Sequence, residues 1–344
     1  MSQLDEYQTA LLATHPDASV DELLRAVDSS GPEFSSFIVD HGLGPEWHSR
    51  TNLEEFRDSR WAAEALFLAQ EHALSEVGAA LEGAGIEYAL IKGGAVRLLV
   101  YSEPALRACH DLDLLVRPED RVRAATVIAE AGFAAAPEAN SISRELLLTR
   151  AEVNVDLHWS LLREGRLRHD VTEAYLQRRQ RHNGLWMLHA DDALFVLLVH
   201  PAFTKHLAGW DMGLHRVADI VEWLRTQKSD WQKVCAVLQQ NGVQTAAWAT
   251  LRWVQLLSGS NVHPDLDAML SDISPGRLRK AWLDRWLRKD LSTRTSGSHW
   301  LRLFGFSVFL HDAPGDSLRA LVGRYRALRR SAADLAVFGE LDGQ

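Results

Sequence analysis

Apolar positions recur at two periods along this chain, and the change of period divides it. Between residues 60 and 82, Trp61, Leu66, Leu68, Ala69, Leu74, Val77 and Leu81 return near the helical period. This predicts an amphipathic helix ended by Gly83 and Gly85. The period then shortens. Tyr88-Ala89-Leu90-Ile91 reads as a buried strand, Gly93-Gly94 as a turn, Ala95 to Tyr101 as a short helix and Leu112 to Val116 as a second strand. A helix opening at Pro118 runs to Gly132, and two further strands are predicted over 144–149 and 152–159. From about residue 170 the helical period takes over almost completely, with helices predicted at 192–203, 212–227, 230–240, 244–258, 276–290 and 315–338. The pattern describes an α+β protein: a helical N-terminal region (1–58), a mixed sheet with flanking helices (59–170) and a helical C-terminal domain (171–344).

Strand alternation picks out the candidate chemistry. In Asp111-Leu112-Asp113-Leu114-Leu115-Val116, the residues Leu112, Leu114 and Val116 share one face, and Asp111 and Asp113 share the other. Two carboxylates at i and i+2, ~6.5 Å apart along the backbone, can converge on a hard divalent cation such as Mg²⁺ or Mn²⁺. The strand around Asp156 behaves likewise. Val153, Val155, Leu157 and Trp159 face the core, while Glu152, Asn154, Asp156 and His158 face away. If the two strands are neighbours, Asp111, Asp113 and Asp156 form one polar surface, and the three anions repel one another in the empty site. Lys92-Gly93-Gly94 precedes a helix, so the two glycines can admit a phosphate close to the backbone and the helix N-terminus can hold it. Lys92, Arg97 and Arg107 can add positive charge, and His158 can touch a phosphate or an acceptor.

Composition narrows the classes. The net charge of −9 disfavours bulk nucleic acid as a partner. The two cysteines, Cys109 and Cys235, cannot build a disulfide framework, which fits a cytoplasmic setting. No apolar run approaches the ~20 residues of a membrane span, and the N-terminus has no basic-then-apolar signal segment. Twelve tryptophans, most beyond residue 180, read as bulky helical core anchors rather than a stacking platform. Asp219 can hold a cation or pair with an arginine. The arginines of the C-terminal helix, Arg319, Arg324, Arg326, Arg329 and Arg330, read as a solvated face.

The segments Leu90-Ile91-Lys92-Gly93-Gly94-Ala95, Arg107 with Asp111-Leu112-Asp113-Leu114-Leu115-Val116-Arg117-Pro118-Glu119-Asp120, Gly132-Phe133 and Val155-Asp156-Leu157-His158-Trp159 resemble the polymerase-β-type nucleotidyltransferase superfamily. More closely, they resemble a bacterial family of uncharacterised nucleotidyltransferases. The resemblance is good over about residues 60–165 and looser to about 245, where Val199-His200 and Ala218-Asp219-Ile220 are similar to the family's helical part. Cys109-His110 departs from it, standing where a smaller pair is expected. The resemblance implies transfer of an NMP group from an NTP to a hydroxyl acceptor, with release of pyrophosphate. It implies Asp111, Asp113 and Asp156 as catalytic and metal-binding residues, and Lys92, Gly93, Gly94, Arg97, Arg107 and His158 as the nucleotide-binding set. The acceptor is left open among small molecule, peptide and protein. Two rivals stand beside this reading. One is a catalytically silent nucleotide-binding regulator or scaffold, against which the complete carboxylate set argues. The other is a D-x-D glycosyltransferase, against which the Gly-Gly turn and the later aspartate argue.

Overall fold

The structure is a computed structural model that describes residues 3–135, 144–207, 213–258, 263–288 and 305–338. A seven-stranded mixed sheet lies among helices, an α+β arrangement. The strands are β1 (Tyr88–Ile91), β2 (Asp111–Val116), β3 (Ala134–Ala135), β4 (Glu145–Arg150), β5 (Val153–His158), β6 (Gln180–His182) and β7 (Leu185–Met187), in the order β3-β4-β5-β2-β1-β7-β6. The three strands that carry the candidate site are adjacent. β1 runs antiparallel to β2, and β2 runs parallel to β5.

One face of this sheet is dry. Leu112, Leu114 and Val116 of β2 and Val153, Val155 and Leu157 of β5 pack with helix α5 (Arg57–Gly83) and helix α7 (Arg121–Glu130). Helix α5 turns Leu74, Val77 and Leu81 inward, as its period predicts. Trp61 and Leu68, counted in the same stripe, instead face solvent. The other face meets the helical part of the chain. Ala89, Ile91 and Leu115 join a second core with helix α9 (Ala190–Thr204), helix α10 (His215–Thr226) and helix α12 (Gln244–Ser258). Trp223, Trp248 and Trp253 are fully buried there, in keeping with the anchor reading.

The N-terminal helices α1 (Gln3–Ala10), α2 (Val20–Ser30), α3 (Glu33–Asp40) and α4 (Gly44–Thr51) share that second core. Trp47 of α4 donates its indole N–H to Ala10 O at 2.8 Å. Arg50 closes the 10–18 segment by donating to Ala13 O and His15 O, 3.0 Å each, and to Ala18 O. The remaining helices are α6 (Lys92–Val100), α8 (Thr172–Arg178), α11 (Trp231–Asn241), α13 (Leu266–Asp272), α14 (Arg277–Leu287) and α15 (Pro314–Phe338).

The change of period near residue 170 does not end the sheet. The β6–β7 hairpin adds two strands beside β1, through Leu90 paired with Met187. Its strands are three residues each, too short for alternation to reveal them. Predicted helix 212–227 appears as His215–Thr226 and predicted helix 276–290 as Arg277–Leu287; residues 212 and 289–290 lie outside the described residues, as does the side chain of Arg330. Among the described residues, no helix is long and apolar enough to cross a membrane.

Candidate active site

Register decides which carboxylates meet. In the parallel β2–β5 pair Asp113 stands opposite Asp156, and Asp111 opposite Asn154. Side chains alternate along each strand, so Asp111, Asp113, Asp156 and His158 emerge on one face, opposite the leucines and valines of the dry core. They line a cleft of about 280 Å³ between the sheet and helices α9 and α10. Ligand atoms of Asp113, Asp156 and His158 all lie within 4.8 Å of one another. Asp111 lines the same cleft but stands outside this tight cluster, so the closest trio includes His158 where the strand pattern places Asp111.

Asp113 is nearly buried, and two cationic or polar groups converge on it. Lys92 Nζ reaches its Oδ1 at 2.7 Å, and His158 Nε2 reaches the same oxygen at 2.8 Å. Lys92 Nζ and His158 Nε2 are 2.9 Å apart. The other ring nitrogen of His158 faces Glu145 Oε2 at 3.4 Å. Burial alone would raise the Asp113 carboxyl, but Lys92 and His158 outweigh it and hold the group far below the usual carboxylate range. Burial likewise disfavours the charge on Lys92, and Asp113 more than restores it. Asp156 goes the other way. Burial, then the neighbouring Asp113 carboxylate, push it up to about 6. The row therefore still repels, but unevenly. Its most buried member is neutralised from within the chain, and the cost falls on Asp156.

The Gly93-Gly94 turn also differs from expectation. Neither glycine takes a positive φ; the left-handed residue is Lys92, at φ 53°. That conformation costs an L-residue roughly 1–2 kcal/mol, which the Lys92–Asp113 ion pair offsets. Helix α6 starts at Lys92, and no side chain caps its N-terminus. Gly93 faces the cleft, and a Cβ there would stand 2.8 Å from both terminal nitrogens of Arg107. Gly94 faces the core, where a Cβ would meet Leu90 Cδ1 at 3.1 Å. Close approach is thus needed at Gly93 for a guanidinium, whereas Gly94 serves packing.

Arg107 is buried and doubly held. Its Nη2 donates to Asp219 Oδ2 at 2.7 Å and its Nε to Asp219 Oδ1 at 3.1 Å. Tyr101 also donates to Asp219 Oδ1, at 3.1 Å. Asp219 lies on α10, so this pair ties the helical part to the edge of the site. Arg97 does not join them. It is buried on α6 away from the cleft, donates to Gln70 Oε1 at 2.8 Å and lies 4.9 Å over the Phe67 ring. Gln70 in turn donates to Cys109 O at 3.0 Å. Arg97 therefore braces α6 against α5 and stands apart from the cleft that gathers Lys92, Gly93, Arg107 and His158. Cys109 is buried, and its Sγ contacts Asp111 O at 3.0 Å, so this half of the departing pair fills core, while His110 is exposed.

His200 also lines the cleft, and the structure adds residues there that the motifs did not name: Glu145, Arg163, Lys205 and Arg216. Glu145 was within reach of alternation on β4. The others come from a loop and two helices with no local motif. His200 is held well below its usual value by burial first and then by Lys92, so it enters the cleft uncharged near neutral pH.

Oxygen donors in a carboxylate row suit a hard divalent cation, and an imidazole beside them widens the choice toward Mn²⁺. The donor set therefore fits the group it was expected to hold. An acidic row on adjacent strands beside an uncapped helix N-terminus is the arrangement of a phosphate-handling transferase site. The model of the family described as "Uncharacterised nucleotidyltransferase" matches residues 41–259, and the chain belongs to that family. It is a nucleotidyltransferase, an enzyme of the transferase class. The match begins inside the N-terminal helices, further out than the motifs alone reach. No curated protein matches the chain.

Proposed function

We propose that the cleft transfers an NMP group from an NTP to a hydroxyl acceptor, with release of pyrophosphate, and that the transfer depends on Mg²⁺ or Mn²⁺. The observation that carries this reading is the register that sets Asp113 opposite Asp156 on one face, beside the uncapped start of α6. Lys92, Gly93 and Arg107 take the β- and γ-phosphates: Gly93 leaves the backbone N–H groups accessible and Arg107 is already positioned by Asp219. A divalent cation held by Asp111, Asp113 and Asp156 supplies, when bound, charge neutralisation at the triphosphate. Lys92 then has a second anion to serve, and its ammonium passes from Asp113 to the phosphates. Asp156 accepts the acceptor hydroxyl's proton. The acceptor oxygen bonds to the α-phosphorus and the bond to the bridging oxygen breaks. Pyrophosphate leaves with those electrons, and the proton passes from Asp156 to solvent. His158 holds Asp113 in place and faces the acceptor side through Glu145.

Calorimetric titration of each NTP, with and without Mg²⁺, tests the reading. Binding is expected to depend strongly on the cation in the parent and to collapse in Asp113→Asn. Equal affinity in all four conditions contradicts it.

A further inference from the structure

A second cavity, of about 380 Å³, lies between helix α5, helix α6 and the β6–β7 hairpin. It shares no lining residue with the carboxylate cleft. Its walls are largely apolar: Phe67, Leu74, Leu98, Leu185 and the ring of Tyr88. The charged residues among them differ in how they are partnered. Arg181 holds both carboxylate oxygens of Glu82, at 3.1 and 3.2 Å. Arg97, 2% exposed, has a neutral amide instead: its Nη1 donates to Gln70 Oε1 at 2.8 Å, and its Nε has no partner among the described residues. The other end of that amide donates to Cys109 O, which fixes its orientation. Elsewhere in this chain the Nε–Nη2 edge of an arginine carries a carboxylate. Arg107 holds Asp219 this way, Arg168 holds Asp316 and Arg178 holds Asp192. In Arg97 the same edge carries none among the described residues, on a guanidinium whose charge is disfavoured by burial.

We propose that this cavity is a second ligand site, and that its ligand is a small monocarboxylate with an apolar body, the carboxylate seated on the Nε–Nη2 edge of Arg97. A carboxylate matches that edge with two parallel bonds, and an anion there offsets the cost of burying the guanidinium. The apolar walls take the rest of the molecule, in a space of the size that small molecules occupy. One negative charge suits the site better than two. Glu71 is an exposed lining residue with no ion pair among the described residues. A phosphomonoester, with about −1.5 to −2 charge, meets more repulsion from it than a carboxylate does. Helix α6 presents Gly93 to the cleft and Arg97 to this cavity, so the two sites share a helix and no residue.

A homologous series tests this. Butanoate, hexanoate and octanoate are titrated calorimetrically into the full chain, beside hexanamide and hexylamine. The acids are expected to bind, tightening roughly fourfold per added methylene while the cavity has room. Hexanamide and hexylamine are expected to bind at least about tenfold more weakly than hexanoate. Arg97→Met is expected to weaken hexanoate by about tenfold or more and to leave hexanamide little changed. Ala79→Trp, on the exposed side of α5, is expected to fill the cavity and abolish hexanoate binding with Arg97 in place. It carries the test if Arg97→Met does not fold. A parent that binds none of the acids overturns the proposal. So does hexylamine that binds as tightly as hexanoate, inorganic phosphate that displaces hexanoate, or hexanoate that binds either folded variant as tightly as the parent.

Discussion

Arginines flank the same carboxylate row at both ends, and they are held in opposite ways. At the β1 end Arg107 is locked onto Asp219 by two donors, and Lys92 onto Asp113. At the β4–β5 end Arg166 is pushed down to about 10 by burial first, and then by the charges of Arg163 and Arg324. The first end is pre-organised: its charges are placed before a ligand arrives, and a triphosphate meets donors that need little rearrangement.

The largest expected effect comes from Asp113→Asn, which breaks the paired end at its centre. Transfer should fall on the order of 10³-fold, measured as pyrophosphate release. The variant should also be less stable than the parent, by about 1–3 kcal/mol in denaturant unfolding, because Lys92 and His158 lose their charged partner. A stabilised variant would mean that repulsion among the three carboxylates outweighs the pairing of Asp113 with Lys92 and His158. Next comes Asp219→Ala. Side-chain exposures of 6% for Arg107 and 2% for Asp219 mark a fully buried pair, and removing one member costs about 3–5 kcal/mol. Urea unfolding checks this, and the same variant should raise the KM for NTP because Arg107 is no longer held against Gly93.

Gly93 and Gly94 separate ligand from packing within one turn. Gly93→Val should weaken NTP binding by about tenfold and also cost stability, since a side chain there displaces Arg107 from its buried pair with Asp219. Gly94→Val should cost about 1–3 kcal/mol by overpacking against Leu90 while leaving NTP affinity little changed. Equal effects of the two on NTP affinity would contradict the assignment of Gly94 to the core.

The smallest effect is a pH dependence on the helix that carries Asp219. Glu46 of α4 has a buried carboxyl oxygen with no hydrogen-bond partner among the described residues. Burial, then Glu222 of α10, push it up to about 7 from an ordinary 4.5. Between those values the unfolded chain ionises this group while the folded chain keeps its proton. Its contribution to stability is therefore lost as pH rises from 4.5 towards about 7. Glu46→Gln should gain on the parent across that window, on the order of 2 kcal/mol, as read by thermal unfolding at several pH values.

Much of the site was legible because strands alternate. The pattern of Asp111 to Val116 and of Val153 to His158 places the acidic residues on one face without any knowledge of pairing, and helix α5 runs within three residues of its predicted span. What escaped is non-local or carried by side-chain chemistry. Arg107 and Asp219 are 112 residues apart in the chain, and no local pattern couples them. Helix α15 meets the 164–165 turn only because Gly165 and Gly323 let the two backbones approach. The left-handed residue fell to Lys92 rather than to a glycine because Asp113 rewards that backbone with an ion pair. Arg97 is close to the motif in sequence, but the turn of α6 points it at Gln70 of α5.

The central claim is that this cleft moves a nucleotidyl group through its carboxylate row, and the position of a phosphorus label tests it most directly. Each NTP, labelled at either the α- or the γ-phosphorus, is incubated with the protein, Mg²⁺ and a cell extract, alongside Asp156→Asn. At least one NTP should pass α-label to an acceptor while γ-label appears in pyrophosphate, and Asp156→Asn should abolish the transfer. Acceptor labelled from the γ-position, or α-label transferred undiminished by Asp156→Asn, would contradict the account.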